Sequence, residues 1–239
     1  MALYRDNGSP ASLVWKEGVR YILTRIDIYY YLKSVGYAEK GAMMDDITRK
    51  TGKPISRLRV PDESEADESI RPILEQNKRQ NGYLENWIIS LALNPGTLSR
   101  SVAYFASLFD PGKGKLSPAE RELIAVVVSA ENGCAYCETH HTKGLARELK
   151  DPIRARRVAL GHDHVPDLNP REQAFADLAL KITRDPKTVT DEDIAGLRQL
   201  GLDDSEILEV IETASFFNYT NRVAISINNI PEDKLFELE

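Results

Sequence analysis

From Ser64 to Pro231 the chain is written in helix grammar, and this most restricts what it can fold into. Apolar residues recur at spacings of three and four, punctuated by caps and breakers, and the period-two alternation of a half-buried strand is missing from this stretch. A helix is expected to open near Ser69, with Pro72 tolerated in its first turn, and to be interrupted at Gly82. An apolar segment over residues 86–93 is broken by Asn94-Pro95-Gly96, after which Thr97 can cap a helix that ends at Asp110-Pro111-Gly112. Ser117-Pro118-Ala119-Glu120 combines a cap, a first-position proline and a glutamate three residues after the cap, a strong start signal. That helix should stop at Asn132-Gly133, and another should run from about Cys134 to Leu149. Further helices are expected over residues 152–160, 170–183 and 190–200, then a long one from Asp203/Asp204 that Pro231 ends. The fold class is all-α.

The first quarter reads differently. Residues 13–35 carry Leu13, Trp15, Val19, Ile22 and Ile26 at helical spacing, but the run is also rich in β-branched and aromatic residues. A helix is preferred here, with a strand as the alternative. Residues 36–56 form a glycine-rich connector with room for one short helix, and residues 57–61 should be extended ahead of Pro61. The chain thus divides into an N-terminal extension or arm, residues 1–56, and an all-helical domain, residues 57–239. There is also a faint internal echo. Leu116-Ser117 and Leu202-Asp203 each open a glutamate-bearing helix followed by a second one, as two related helical units would.

A length of 239 residues is enough to bury a sizeable core. With 42% hydrophobic and 28% charged residues, the composition is that of a soluble globular protein. A net charge of −6 argues against nucleic acid or an anionic membrane as partner, because both select a basic face. No apolar run approaches the roughly 20 residues of a membrane span, and the N-terminus lacks the order of a signal peptide, so the cytoplasm is the expected compartment. In such a compartment two cysteines suggest redox or metal chemistry before a structural staple.

Those two cysteines, Cys134 and Cys137, are spaced Cys-x-x-Cys and followed by His140 and His141. On a helix starting at Cys134, the residues Cys134, Cys137, Glu138 and His141 share one stripe, while Tyr136 and His140 point roughly the other way. His140 is expected at the surface or at a helix end. The open end of a helix stabilises a thiolate, which favours Cys134 as the more activated sulfur. An imidazole one turn on can take or return a proton. If the chain folds back at Asn132-Gly133, Glu122 on the preceding helix can reach and orient His141. Cys134, Cys137, His141 and Glu122 are therefore the candidate catalytic residues, suited to dithiol–disulfide chemistry. Two plainer roles compete with this chemistry. The cysteines could be small core residues, or they could bind zinc together with His141 and one of His162 and His164.

Glu122, eleven intervening residues, then Cys134-Ala-Tyr-Cys137 and His141 reproduce a family signature at every spacing. At these residues the chain resembles the alkylhydroperoxidase D / carboxymuconolactone decarboxylase superfamily, and within it the peroxidase-related branch. The similarity extends over roughly residues 60–239, including Asn81-Gly-Tyr, Asn94-Pro, the Leu-Ser-Pro-Ala-Glu-Arg-Glu-Leu opening and Phe216-Phe-Asn-Tyr-Thr-Asn-Arg-Val. The resemblance implies an all-helical bundle that needs no cofactor and assembles as a trimer or hexamer. It implies a thiol-dependent peroxidase acting on a hydroperoxide and re-reduced by a dithiol protein or small thiol. Cys137 would attack and form the sulfenic acid, Cys134 would resolve it as a disulfide, and Glu122 and His141 would relay protons. The chain departs from that pattern at Tyr136, where well-studied peroxidase members carry a histidine. The decarboxylase branch usually lacks the cysteine pair. A redox sensor or disulfide-exchange protein, and a zinc-stabilised scaffold, are the alternatives.

Overall fold

The apolar run Leu123-Ile-Ala-Val-Val-Val is buried on every side, and the helix that carries it is the axis of the domain. The computed structural model describes residues 12–16, 19–23 and 54–236. It divides the chain into two compact units, Met1–Lys53 and Pro54–Glu239.

In the first unit, β1 (Ser12–Lys16) and β2 (Val19–Leu23) form an antiparallel hairpin in which Leu13 faces Ile22 and Trp15 faces Arg20. The helix preferred over residues 13–35 is therefore overturned at 12–23. Here the β-branched and aromatic side chains outweigh the helical spacing. The remainder of that segment and most of the 36–56 connector lie outside the described residues.

Among the described residues of the second unit there are no strands. Those described residues form nine α-helices: α1 (Arg71–Asn81), α2 (Asn86–Leu91), α3 (Pro95–Leu108), α4 (Pro118–Glu131), α5 (Ala135–Leu149), α6 (Pro152–Leu160), α7 (Pro170–Arg184), α8 (Asp191–Gln199) and α9 (Asp204–Ile227). The start signal at Ser117 forms as expected. Its side chain accepts the Glu120 N–H, and Glu120 returns the bond to the Ser117 N–H. One cap moves: Asn94, not Thr97, caps α3, because Pro95 at the first position needs no hydrogen-bond partner for its nitrogen. The internal echo fails as architecture. The second unit of the supposed pair is one continuous helix of 24 residues, since nothing like Asn132-Gly133 interrupts it.

Helices α5, α6, α7 and α9 pack around α4. Its six central side chains join Phe175, Phe217, Val210 and Leu145 in the main core. Full burial of each Val, Leu or Ile contributes about 1.5–3 kcal/mol, so α4 can be apolar all round only because neighbours cover every face. A second cluster, built on Ile70, Leu74, Ile88 and Leu98, joins α1, α2 and α3. The segment before α1 lies along the end of α9, where the Ile230 N–H donates to the Ile55 carbonyl at 3.2 Å. Residues 57–61 are neither helix nor strand. No helix of the described residues is long and apolar enough to cross a membrane.

A positive charge sits deep in this core. Arg121, in the first half of α4, is 1% exposed, and its NH2 lies 3.1 Å from Glu209 Oε2 on α9. Glu209 also accepts the backbone N–H groups of Lys115 and Leu116, so the ion pair fastens the loop before α4 to α9. Removing one member of a buried pair strands the other's charge, which costs far more than losing an exposed pair. Glu209→Ala should therefore destabilise the domain by about 3–5 kcal/mol in chemical denaturation. Arg121→Met, which removes the buried charge and keeps most of the volume, should cost clearly less. Equal losses would show that the charge is not what the pairing offsets.

Candidate active site

Helices α4 and α5 form a hairpin hinged at Asn132-Gly133, and the geometry of the site follows from that hinge. Gly133 has φ 65°, a left-handed conformation that glycine adopts without steric cost. The Cys134 N–H then donates to the Ser129 carbonyl at 2.9 Å, and α5 runs back along α4. Glu122 on α4 thereby meets His141 on α5, with Oε2 and Nδ1 2.7 Å apart. Glu122 is 6% exposed. It fits because Gly144, one turn beyond His141, has no side chain: a Cβ there would lie 2.5 Å from Glu122 Oε1.

The hinge is tied from the other side. Asn132 Nδ2 donates to the Oδ1 atoms of Asn218 and Asn221 on α9, each at 3.0 Å, and Asn221 Nδ2 donates to Ser129 Oγ at 3.1 Å. Asn221 is fully buried, so these bonds form where water does not compete.

Both cysteines are reduced and buried. Cys134 is the N-cap residue of α5, and it packs with Cys137 in one small buried cluster. The Cys137 side chain comes first in lowering the Cys134 thiol to about 7. Burial works against it, while the backbone N–H groups of Cys137 and Tyr136 at the helix start work with it. Cys137 moves the other way, well above the usual thiol range. The Cys134 side chain, then burial, raise it, and Asn221 and Thr220 offset only part of the rise. The two thiols titrate as a coupled pair, in which the helix start favours charge on Cys134.

A cavity of about 1100 Å³ opens beside the pair. Cys137, Glu122 and His141 line it, whereas Cys134 stands behind Cys137 and does not. Trp87, Ile88, Phe105, Phe216 and Phe217 supply an apolar wall. His141 packs edge-on against Phe217, with ring centroids 4.5 Å apart. All four residues singled out from the sequence thus come together, three at the cavity and one behind it.

Two neighbours are not where the helical stripe puts them. The His140 side chain is only 16% exposed and lies against Glu232, Nε2 to Oε2 2.7 Å, so it is not a surface residue. Tyr136 is buried and lines the same cavity, with its hydroxyl donating to Glu232 Oε1 at 3.2 Å and accepting the Trp87 N–H at 3.2 Å. Burial, then the Glu232 and Glu85 carboxylates, push the Tyr136 phenol well above its usual range, so it remains a proton donor. Helix periodicity gives direction around α5 but not what covers each direction, and the chain after α9 returns to cover this one.

Zinc has no ligand set here. His162 bonds Asp177 at 3.0 Å and lines a different cavity, and no group of three or more His, Cys, Asp or Glu side chains is arranged for a metal among the described residues. Glu232 and Gly144 belong to the site without having stood out in the sequence, and Asn221 stood out only within the Phe216–Val223 run, with no role attached. A glycine inside a helix and two asparagines three apart in an apolar one are available signals. Glu232, in a Pro-Glu-Asp turn, carries none.

Comparison with known proteins agrees with this architecture. The carboxymuconolactone decarboxylase family profile matches residues 95–181. The fold is similar to that of the alkylhydroperoxidase AhpD core of an uncharacterized peroxidase-related protein from Ralstonia eutropha JMP134, with TM-score 0.73 and 32% identity over 77% of this chain and 96% of that one. An uncharacterized peroxidase-related protein from Silicibacter sp. TM1040 matches with TM-score 0.71 and 29% identity, again over 77% and 96%. The debrominase Bmp8, solved as a variant in complex with 2,3,4-tribromopyrrole, shares the fold at TM-score 0.62 and 16% identity over 77% of this chain and 95% of that one. With nearly the whole of a 32% identical relative covered and the cysteine hairpin inside the matched region, the chain belongs to the alkylhydroperoxidase D / carboxymuconolactone decarboxylase superfamily.

Proposed function

We propose that this protein is a thiol-dependent peroxidase that reduces hydroperoxides through Cys137 and Cys134. One observation carries the proposal. Cys137 lines a largely apolar cavity next to the bonded Glu122–His141 pair, with an acidified cysteine directly behind it. Neither a core cysteine pair nor a scaffold needs that arrangement.

The chemistry divides between the two sulfurs. Near neutral pH the pair holds one proton, with the charge resting on Cys134. Passing the Cys137 proton across their contact puts the thiolate at the cavity wall. Cys137 Sγ attacks the terminal oxygen of R–O–O–H; the S–O bond forms, the O–O bond breaks, and sulfur is oxidised to sulfenic acid while the peroxide is reduced. The departing alkoxide takes up a proton and leaves as the alcohol. Cys134 then gives its proton to His141 and attacks the sulfenic sulfur; the S–S bond forms and the S–O bond breaks. His141, held by Glu122, supplies the proton with which the hydroxide leaves as water. A dithiol protein or small thiol restores the pair by exchange.

In single turnover with the reduced protein and an alkyl hydroperoxide, Cys137→Ser should not react. Cys134→Ser should stop at a sulfenic acid on Cys137, trapped with a dione reagent and located by mass. If both variants consume peroxide with a dithiol at the native rate, the peroxidase reading is lost. Sulfenic acid that forms without turnover would mark a redox sensor instead.

The reactive form has a pH signature as well. Thiolate develops as pH rises through about 7, so reaction should be slow below that value and level off above it. In Cys137→Ala the largest cause of the Cys134 shift is gone, and its thiolate ultraviolet absorbance should develop later, toward the free-cysteine value near 8.5. An unmoved transition would mean that the helix start alone acidifies Cys134.

A further inference from the structure

The cavity holds a second histidine–carboxylate pair that the chemistry above leaves without a task. His140 and His141 stand three and four residues after Cys137 on α5, so the two imidazoles flank it one turn on. His140 Nε2 is 2.7 Å from Glu232 Oε2. The other oxygen of Glu232 accepts from the Tyr136 hydroxyl and from the Asn86 N–H. His140 Nδ1 is 3.9 Å from Glu85 Oε1, too far for a hydrogen bond. That nitrogen has no hydrogen-bond partner among the described residues, and His140 and Glu85 both line the cavity.

Stability alone does not account for this pair. The Glu232 side chain is 9% exposed. Burial works to raise its carboxyl, and the bond and charge of His140 with the Asn86 N–H more than offset that. Buried pairs of this kind are often no more stabilising than apolar residues of the same volume.

The surroundings of the two imidazoles differ. Phe217, Phe105 and Phe109 surround His141, with one carboxylate as partner. Against His140 stand two carboxylates, Glu232 from the segment after α9 and Glu85 from before α2, together with the Tyr136 ring at 4.4 Å. The cations Lys143 and Arg147 line the cavity from the same helix, and Leu235, beside Lys234, closes it from the C-terminal segment. Such division of environment assigns one acid and one base within a site.

We propose that His140 is the general acid for the oxygen that leaves the peroxide, positioned by Glu232 and Tyr136, while Glu122–His141 serves the sulfurs. This rests on the peroxidase reading. In the step itself, Cys137 thiolate forms the S–O bond, the O–O bond breaks, and the alkoxide takes the Nδ1 proton of His140 to leave as the alcohol. The imidazole keeps its Nε2 proton on Glu232 and recovers the other from solvent. Tyr136, where a histidine is usual, thereby joins the second pair without replacing the first.

The test compares two oxidants in single turnover. With tert-butyl hydroperoxide the leaving group is an alkoxide, which needs a proton; with peracetic acid it is acetate, which does not. In His140→Asn the ratio of the alkyl hydroperoxide rate to the peracid rate should fall about 100-fold from the native ratio, within the range for loss of a general acid. Glu232→Gln, which keeps the shape of the contact, should lower the same ratio less. A merely structural role would slow both oxidants together and leave the ratio unchanged, and that result overturns the assignment. If His140→Asn does not fold, an unchanged ratio in Glu232→Gln overturns it equally. Native protein inert to both oxidants would instead remove the peroxidase reading and this step with it.

Discussion

The bond between Glu122 and His141 is the contact on which the rest of the site depends. It spans 2.7 Å between two helices, and nothing along a single helix could supply it. Three features have to coincide. The chain must reverse at Gly133, which its positive φ allows, and α5 must return close along α4. Gly144 must leave empty the space that the carboxylate fills. A glycine inside a helix costs about 0.5–1 kcal/mol relative to alanine. Here that cost goes with a carboxylate brought against the neighbouring helix and largely shut off from water, where its hold on an imidazole is much stronger than at the surface.

Helix α9 performs two services for this hairpin, and they explain why it is apolar yet dotted with asparagine. Its apolar side chains, among them Val210, Ala214 and Phe217, join the core around α4. Its buried amides do something packing cannot. Asn218 and Asn221 receive Asn132 at the hinge, Asn221 reaches Ser129, and Ala224 packs against the cysteines. Beyond the helix, which ends at Asn228 in a left-handed conformation, the chain turns back and sets Glu232 against Tyr136 and His140. One element thus touches the hinge and the sulfur, and its C-terminal continuation closes the second histidine pair.

What can be read from residue order follows the same physics. Caps, breakers and three–four spacing act within a few residues, so the helices from Ser69 onward are legible, and so is the fold-back that joins Glu122 to His141. The hairpin at residues 12–23 misleads because its spacing suits a helix while its side chains favour a strand, and a short segment lets the latter prevail. His140 and Tyr136 mislead for a different reason. Periodicity says which way a side chain leaves its helix, but what waits there is Glu232, 92 positions away from His140. Long-range closure of that kind has no local signal.

In the peroxidase reaction proposed above, the two sulfurs resolve a conflict between the helix-end argument and the family pattern by dividing the work. The end of α5 favours charge on Cys134, and the acidified thiol stands there. Access favours Cys137, because that sulfur lines the cavity while Cys134 lies behind it. A nucleophile must be both charged and reachable, and neither cysteine is both at rest. Their direct contact removes the difficulty, since moving one proton between adjacent sulfurs carries the charge to the exposed member without creating a second charge in the interior. Two separated cysteines would require a buried thiolate at the cavity wall, against the full cost of desolvation. In the proposed reaction the Cys-x-x-Cys spacing therefore serves the first step as well as the last: the contact that would end as a disulfide begins as the path by which the attacking sulfur is ionised.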